Sequence, residues 1–217
     1  MEHSEFFVRL RNLFEKLPGI GPRQANRFIW ALLDFNEKEL KHFGEAVLEI
    51  SKRMRRCNVC FRVFPLQDSE TTCSFCADAS KRDRDAIMVV EHDSDLLNVE
   101  KSCMYRGLYH VLGDVLDPLD ENKIVRERIK ALYERLARVP GKRLDLKERA
   151  TIEIILALSP TKMGEFTSEY IKKVLEPLLS NPTVKLKVTR LGRGLSTGVE
   201  LEYADELTLK QAIDNRK

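Results

Sequence analysis

The sequence predicts a multi-domain α/β protein: a helical N-terminal region, a four-cysteine module, a parallel α/β domain and a C-terminal extension. Three observations support this prediction. Four cysteines follow the spacing C-x2-C-x12-C-x2-C. Before them, apolar residues recur with the period of an α-helix. After them, short apolar runs alternate with helical segments, as in a parallel sheet with crossover helices. The predicted boundaries are 1–56, 57–78, 79–190 and 191–217.

The N-terminal region predicts three helices. The first covers 4–16 and ends at Leu17-Pro18-Gly19, because proline disfavours a helical residue before it. The second starts near Pro22, since proline suits a first helical turn. The third covers about 37–55 and is basic at its C-terminal end, which also suits the helix dipole.

The loop between the first two helices has the helix-hairpin-helix pattern of proteins that bind the DNA backbone. Gly19 and Gly21 allow positive φ angles and close approach of a phosphate to backbone N–H groups at a helix N-terminus. Arg23 and Arg27 are four residues apart, so they share one helix face and can reach the same backbone. The alternative is a packing corner that uses Pro and Gly only for its geometry.

The four cysteines predict a structural Zn²⁺ site, because each C-x-x-C pair brings two thiolates to one tetrahedral ion. The ligands are Cys57, Cys60, Cys73 and Cys76. Four sulfur ligands leave no open coordination position for catalysis. The alternatives are two disulfides or four unrelated buried thiols. Cys103 has no partner in this pattern and is predicted to be a small buried residue.

The charge is unevenly distributed. Residues 1–56 contain 11 Lys/Arg and 8 Asp/Glu, whereas residues 57–217 contain 26 of each. A basic end on a nearly neutral body favours a polyanionic partner; the alternative is a solvated helix face. No apolar run approaches the roughly 20 residues of a membrane span. We therefore expect a cytoplasmic protein without membrane contact.

Four apolar runs after the cysteines predict the strands of a parallel sheet, with helices at 93–102, 122–138 and 164–179 between them. The C-terminal extension predicts a strand at 199–203 and a helix at 206–215. The predicted sheet strands are Ala86–Val90, Tyr109–Leu112, Ile152–Leu158 and Val184–Thr189.

Glu91 follows the first of these strands, at the edge where α/β sheets place their sites. This position resembles the opening motif of the Toprim fold of topoisomerases and primases, in which a later D-x-D pair holds Mg²⁺. The third strand here ends Leu158-Ser159-Pro160 and has no D-x-D. We therefore expect at most weak Mg²⁺ binding at Glu91 and Asp95. Asp93 or Ser94 is predicted to cap the following helix.

The order of these motifs along nearly the whole chain resembles the RecR family of bacterial recombination mediators. The helix-hairpin-helix, the cysteine pattern and Val89-Val90-Glu91 come first. The further segments that carry the resemblance are Tyr105–Gly113, Pro160–Thr167, Thr189–Gly194 and Glu200–Leu209.

This resemblance implies a non-enzymatic DNA-repair protein of the RecFOR type, which helps to load recombinase onto single-stranded DNA. It implies dimers or ring-like tetramers that encircle DNA, with DNA contacts at Arg23 and Arg27. Contact with RecO-type and RecF-type repair proteins is implied, the RecO-type contact near Glu91, Asp95 and Glu165. The family's Walker B-like segment matches Val199–Asp205, but no Walker A lysine loop is present, so ATP hydrolysis is not predicted.

Two other functions stay open at this point. One is a Mg²⁺-dependent Toprim nuclease or primase-like enzyme, against which the missing D-x-D argues. The other is a zinc-stabilised scaffold that binds only proteins, against which the segregated basic end argues.

Overall fold

The structure is a computed structural model that describes residues 4–66, 70–78, 81–118, 123–138, 151–179 and 185–192, together with 195, 198, 202, 204 and 206–214. The chain divides into two compact units, Met1–Met54 and Arg55–Lys217.

The first unit is helical. Ser4 caps the first helix by accepting a hydrogen bond from the Phe7 N–H, and Asn36 and Glu39 exchange side chain-to-backbone hydrogen bonds at the start of the third. All three predicted helices are confirmed. The third ends two residues before its predicted limit because Met54 enters a β-strand. The helices are α1 (Glu5–Phe14), α2 (Pro22–Leu33) and α3 (Glu37–Arg53).

The contact between α1 and α2 holds the loop that joins them. Ala25 and Ile29 of α2 are buried, and the rings of Phe14 and Phe28 lie 5.6 Å apart between centroids. Burial of these side chains fixes the two helix ends from which the Pro-Gly loop projects.

The second unit begins with a small two-stranded sheet and continues as a four-stranded parallel sheet with strand order β4-β3-β5-β6. Its elements in chain order are β1 (Met54–Arg56), β2 (Val63–Pro65), α4 (Ser74–Ala77), β3 (Asp83–Val90), α5 (Asp93–Ser102), β4 (Gly107–Val111), α6 (Lys123–Ala137), β5 (Thr151–Ala157), α7 (Lys162–Leu179), β6 (Lys185–Arg190) and α8 (Glu206–Asp214).

The predicted parallel α/β architecture is confirmed. All four predicted strands and the helices between them are present, with no end displaced by more than three residues. The predicted C-terminal helix is present as α8. The segment Val199–Asp205, with its predicted strand, lies outside the described residues except for positions 202 and 204.

Each face of the parallel sheet has its own core, because successive residues of a strand point to opposite faces. Ile87 and Val89 face a cluster that includes buried residues of α6 and α7. Met88 and Val90 face a smaller cluster that contains Leu96 of α5. The two clusters bury both faces of β3, as expected of a central parallel strand.

The cysteine module covers the outer edge of the sheet. β4 is the terminal strand on that side, yet all five of its residues are buried. The Val111 N–H donates to the Cys60 carbonyl oxygen at 2.8 Å. The module thereby satisfies the Val111 N–H, which an open edge strand would leave unpaired.

Candidate metal centre and nucleic-acid interface

The four predicted metal ligands converge on one point. The Sγ atoms of Cys57, Cys60, Cys73 and Cys76 all lie within 4.8 Å of one another, and those of Cys60 and Cys73 are 3.6 Å apart. A tetrahedral ion with metal–sulfur bonds of about 2.3 Å holds its sulfurs about 3.8 Å apart. All of the cysteines are free thiols, so the structure contains no disulfide among them. This donor set fits a structural metal such as zinc.

The environment of the sulfurs also fits a bound cation. The Cys57 Sγ accepts hydrogen bonds from the Val59 and Cys73 N–H groups at 3.5 and 3.4 Å. The hydrogen bond with the Cys60 thiol lowers the pKa of Cys57, and the same contact raises the pKa of Cys60. Because negative charges at this separation repel, four thiolates can coexist only around a cation.

The fifth cysteine is placed differently from its prediction. Cys103 is exposed, so the expectation that it is buried is wrong. It occupies the C-cap of α5 in the left-handed conformation, with φ of 56°. That position turns the chain out of the helix at the surface.

The module is held to the sheet by an aromatic contact that the sequence analysis did not detect. The Phe75 ring lies between the guanidinium groups of Arg62 and Arg82, whose Cζ atoms are 3.9 and 3.7 Å from its centroid. Arg82 also pairs with Glu100 at 2.5 Å. No local periodicity connects these residues, because the contact joins the module to the Asp83–Ser102 segment by tertiary packing.

The hairpin loop leaves its two glycines in open space. Gly19 has φ of 77°, a conformation that favours glycine. Gly21 is the N-cap of α2 with extended backbone, which any residue can adopt. A Cβ atom built on either glycine meets nothing within 4 Å. Backbone conformation therefore explains Gly19, whereas neither conformation nor packing within the chain explains Gly21.

The two predicted DNA-binding arginines flank this loop. Arg23 and Arg27 are exposed on α2, and neither forms an ion pair with any residue that the structure describes. The first amide of the helix to bond within it is that of Ala25, which donates to the Gly21 carbonyl. The N–H groups of Arg23 and Gln24 precede it and have no helical acceptor. The helix N-terminus thus combines free donors with two cations.

At the carboxyl end of the sheet, Glu91 is a buried structural acceptor. Its carboxylate accepts hydrogen bonds from the Ser159 N–H at 2.6 Å and the Ser159 hydroxyl at 2.9 Å. A Cβ atom on Gly164 would lie 2.0 Å from the Ser159 carbonyl oxygen, so glycine is needed for α7 to pass this loop. Glu91 therefore fastens the segment after β5 to the end of β3.

The other two predicted partner-binding carboxylates also have partners within the chain. Asp95 accepts a hydrogen bond from the His92 N–H at 2.8 Å in the first turn of α5. Glu165 accepts one from Arg190 Nη1 at 2.6 Å. The structure brings Glu91 against Gly164, the neighbour of Glu165, whereas Asp95 stabilises the start of α5.

The helix cap differs from the prediction. His92 is the N-cap of α5, so the expectation that Asp93 or Ser94 caps the helix is wrong. The Asp93 carboxylate instead accepts a hydrogen bond from the Val63 N–H at 2.8 Å. It serves the cysteine module, which leaves the N-cap position to the preceding residue.

Among the described residues, the four cysteines are the one group of three or more His, Cys, Asp or Glu side chains that could share an ion. The predicted weak Mg²⁺ site at Glu91 and Asp95 stays a prediction, and two of the Glu91 lone pairs are already used by Ser159. In the part of the chain that the structure describes, no helix is both long enough and apolar enough to span a bilayer.

Known protein families match this architecture. The Toprim domain family matches residues 85–191, which run from β3 through β6, and the RecR C-terminal family matches residues 194–217. The chain is thus a Toprim-domain protein with a RecR-type C-terminus.

Curated relatives extend the similarity to the full length. Recombination protein RecR of Staphylococcus aureus strain MRSA252 is 38% identical over 216 residues, covering 100% of this chain and 98% of the relative. The RecR proteins of strains Mu3 and Newman match with the same identity and coverage. The chain belongs to the RecR family.

Proposed function

We propose that this chain is a non-catalytic DNA-binding recombination mediator that acts in DNA repair of the RecFOR type. Its curated relatives are named recombination proteins, which supports a role in recombination. The observation that carries the proposal is the open hairpin with its two unpaired arginines. No residue that the structure describes requires glycine at position 21, so we attribute Gly21 to the close approach of a DNA phosphate.

We further propose that the protein forms homodimers or homotetramers that act as a clamp on double- and single-stranded DNA. One face of α3 supports self-association. Its apolar residues follow alternating three- and four-residue steps, and each is 40–60% exposed. This spacing is that of a helix seam that packs against a second helix. The residues are Leu40, Phe43, Val47 and Ile50. Joining several weak backbone contacts raises affinity without sequence preference.

Three further assignments belong to this proposal. The ion of the four cysteines is Zn²⁺ in a structural role, in a cytoplasm that keeps thiols reduced. RecO-type and RecF-type proteins are the partners, with Glu91, Asp95 and Glu165 near the RecO-type contact. The engagement of Glu91 with Ser159 supports a protein without metal-dependent nuclease or primase-like activity.

The test is the salt dependence of DNA binding. Each phosphate contact contributes about 0.9 to the slope of log K against log salt for duplex DNA and about 0.7 for single strands. The double variant Arg23→Ala, Arg27→Ala should therefore lower the slope by about 1.8 and about 1.4, respectively. Fluorescence anisotropy of a labelled oligonucleotide measures both values.

The matched control is Lys38→Ala with Lys41→Ala, which removes the same charge from exposed positions of α3 in the same unit. It should change the slope by less than the hairpin variant does. An equal slope for the hairpin variant and the unmodified protein would show that DNA does not contact this loop.

A further inference from the structure

The second unit contains a buried guanidinium that forms no direct ion pair with any carboxylate the structure describes. Arg128 of α6 is 8% exposed. Its Nη1 lies 3.5 Å from the Val111 carbonyl oxygen, a weak contact for a group with five N–H donors. Among the described residues, no carboxylate oxygen lies within 4 Å of its guanidinium nitrogens. A buried charge is costly unless it is paired, so this one requires an explanation.

The surroundings keep the guanidinium in place. Gly113, at the end of β4, has φ of 87°, and a Cβ atom there would lie 2.2 Å from Arg128 Nη1. The centroid of the Phe61 ring lies 5.3 Å from Arg128 Cζ, and the backbone of Phe61 has φ of 62°. Both neighbours adopt left-handed backbone conformations beside the group. The fold thus makes room for a cation at the carboxyl end of the sheet, where parallel α/β domains bind ligands.

A second cation adds to the positive charge. Arg56 donates to the Phe61 carbonyl at 3.2 Å and lies 3.4 Å from an Asp93 carboxylate oxygen. Burial lowers the pKa of Arg128, and the charge of Arg56 lowers it further, while Asp93 opposes them. Arg56 is paired with Asp93, whose single negative charge does not balance the two arginines, which leaves a net positive charge among these three side chains.

We propose that Arg128 and Arg56 form an anion site that binds a phosphate group. A guanidinium presents its donors in a planar fork that matches phosphate oxygens. The phosphate can come from the DNA backbone or from free phosphate. This site lies in the second unit and goes beyond the proposed hairpin contact, so either can fail without the other.

The first experiment uses the full-length, zinc-loaded protein and inorganic phosphate in the absence of DNA. Thermal unfolding is followed at increasing phosphate and constant ionic strength, which gives an apparent dissociation constant by linkage. Arg128→Met should weaken phosphate binding about 10- to 150-fold, as expected for the loss of charge-assisted hydrogen bonds. Arg126→Met, an exposed arginine of the same helix, is the control and should bind like the unmodified protein.

Stability without phosphate provides a second readout. Replacing an unpaired buried charge by a side chain of similar volume should leave the melting temperature unchanged or raise it. A strong decrease for Arg128→Met, with no phosphate response in the unmodified protein, would show that the residue is only structural and would overturn the proposal. Equal phosphate responses of the two variants would overturn it as well, because general salt effects act on both.

Two further measurements, the salt dependence of DNA binding and the competition between phosphate and DNA, identify the source of the phosphate. If the DNA backbone supplies it, Arg128→Met lowers the salt slope for duplex DNA by about 0.9, Arg126→Met does not, and phosphate competes with DNA. If phosphate binds but the slope is unchanged, the site takes free phosphate, and the proposal stands. If glutamate at the same ionic strength stabilises the protein as strongly as phosphate, the site binds carboxylates, and the phosphate assignment is wrong.

Discussion

Two substitutions at Glu91 test whether its carboxylate has a structural role or binds a metal ion. Glu91→Ala removes both acceptors of Ser159 and leaves its N–H without a protein partner. Hydrogen bonds to a charged group contribute about 1.5–3 kcal/mol each. Ser159 is exposed, so water replaces part of this, and we expect a loss of about 2–4 kcal/mol for the α/β unit.

Glu91→Gln is the informative comparison. The amide has the same shape, its oxygen can accept from the Ser159 N–H, and its NH₂ can donate to the Ser159 hydroxyl oxygen. A structural role therefore predicts a loss of about 1 kcal/mol or less. A metal role predicts that the amide is as damaging as alanine, because it lacks the charge that holds Mg²⁺.

The assay is urea unfolding followed by far-UV circular dichroism, with and without Mg²⁺. The single tryptophan, Trp30, lies on α2, so its fluorescence reports on the first unit alone and serves as an internal control. Trp30 unfolding should be the same in both variants. Equal destabilisation by Gln and Ala, or a stabilisation by Mg²⁺ that both variants lose, would refute the structural role.

Three other predictions follow from the same unit. Replacing Cys57 by Ser, or removing the metal with a chelator, should unfold the module and lower stability broadly, because metal binding and folding are coupled. Metal content and circular dichroism measured together check this, and a fully folded, metal-free variant contradicts it. Gly164→Ala should destabilise the α/β unit, since its Cβ would lie 2.0 Å from the Ser159 carbonyl oxygen; unchanged urea unfolding would show that the loop shifts freely. Burial lowers the pKa of His110 to about 3, so below its ordinary pKa of 6.5 only the unfolded chain takes up the proton. Stability should therefore fall as the pH drops from about 6.5 towards 3, by about 2 kcal/mol between pH 7 and pH 5. His110→Phe should remove that part of the pH dependence in urea unfolding at constant zinc, and an unchanged profile would mean that another group causes it.

Local patterns predict the long elements of this chain and fail for the short ones. α5 is found at its predicted limits, although the residue predicted to cap it is not the one that does. The strands β1 and β2 have three residues each, too few for any period to be visible. The four cysteines are predictable because tetrahedral coordination dictates their spacing. The strand end that places Glu91 is visible as well, since an apolar run stops there.

Contacts between residues far apart in the chain could not be predicted from the sequence. Ser159 is 68 positions from Glu91, and the pairing depends on the sheet order β4-β3-β5-β6, which periodicity does not specify. In the sequence, Arg128 is one of many charged residues of a helix. In the structure, the Gly113 turn and the Phe61 ring enclose it. Burial of a charge is a property of packing, and it becomes visible only when the elements are assembled.

The hydrogen bond between Val111 and Cys60 has a consequence for protein handling. Chelation or thiol oxidation would detach the module from β4 and leave the Val111 N–H unpaired at the edge of the sheet. Such a margin can recruit strands from other molecules and start aggregation. A metal bound by the four cysteines would therefore also protect the protein from aggregation, and preparations without metal should precipitate before they lose their helices.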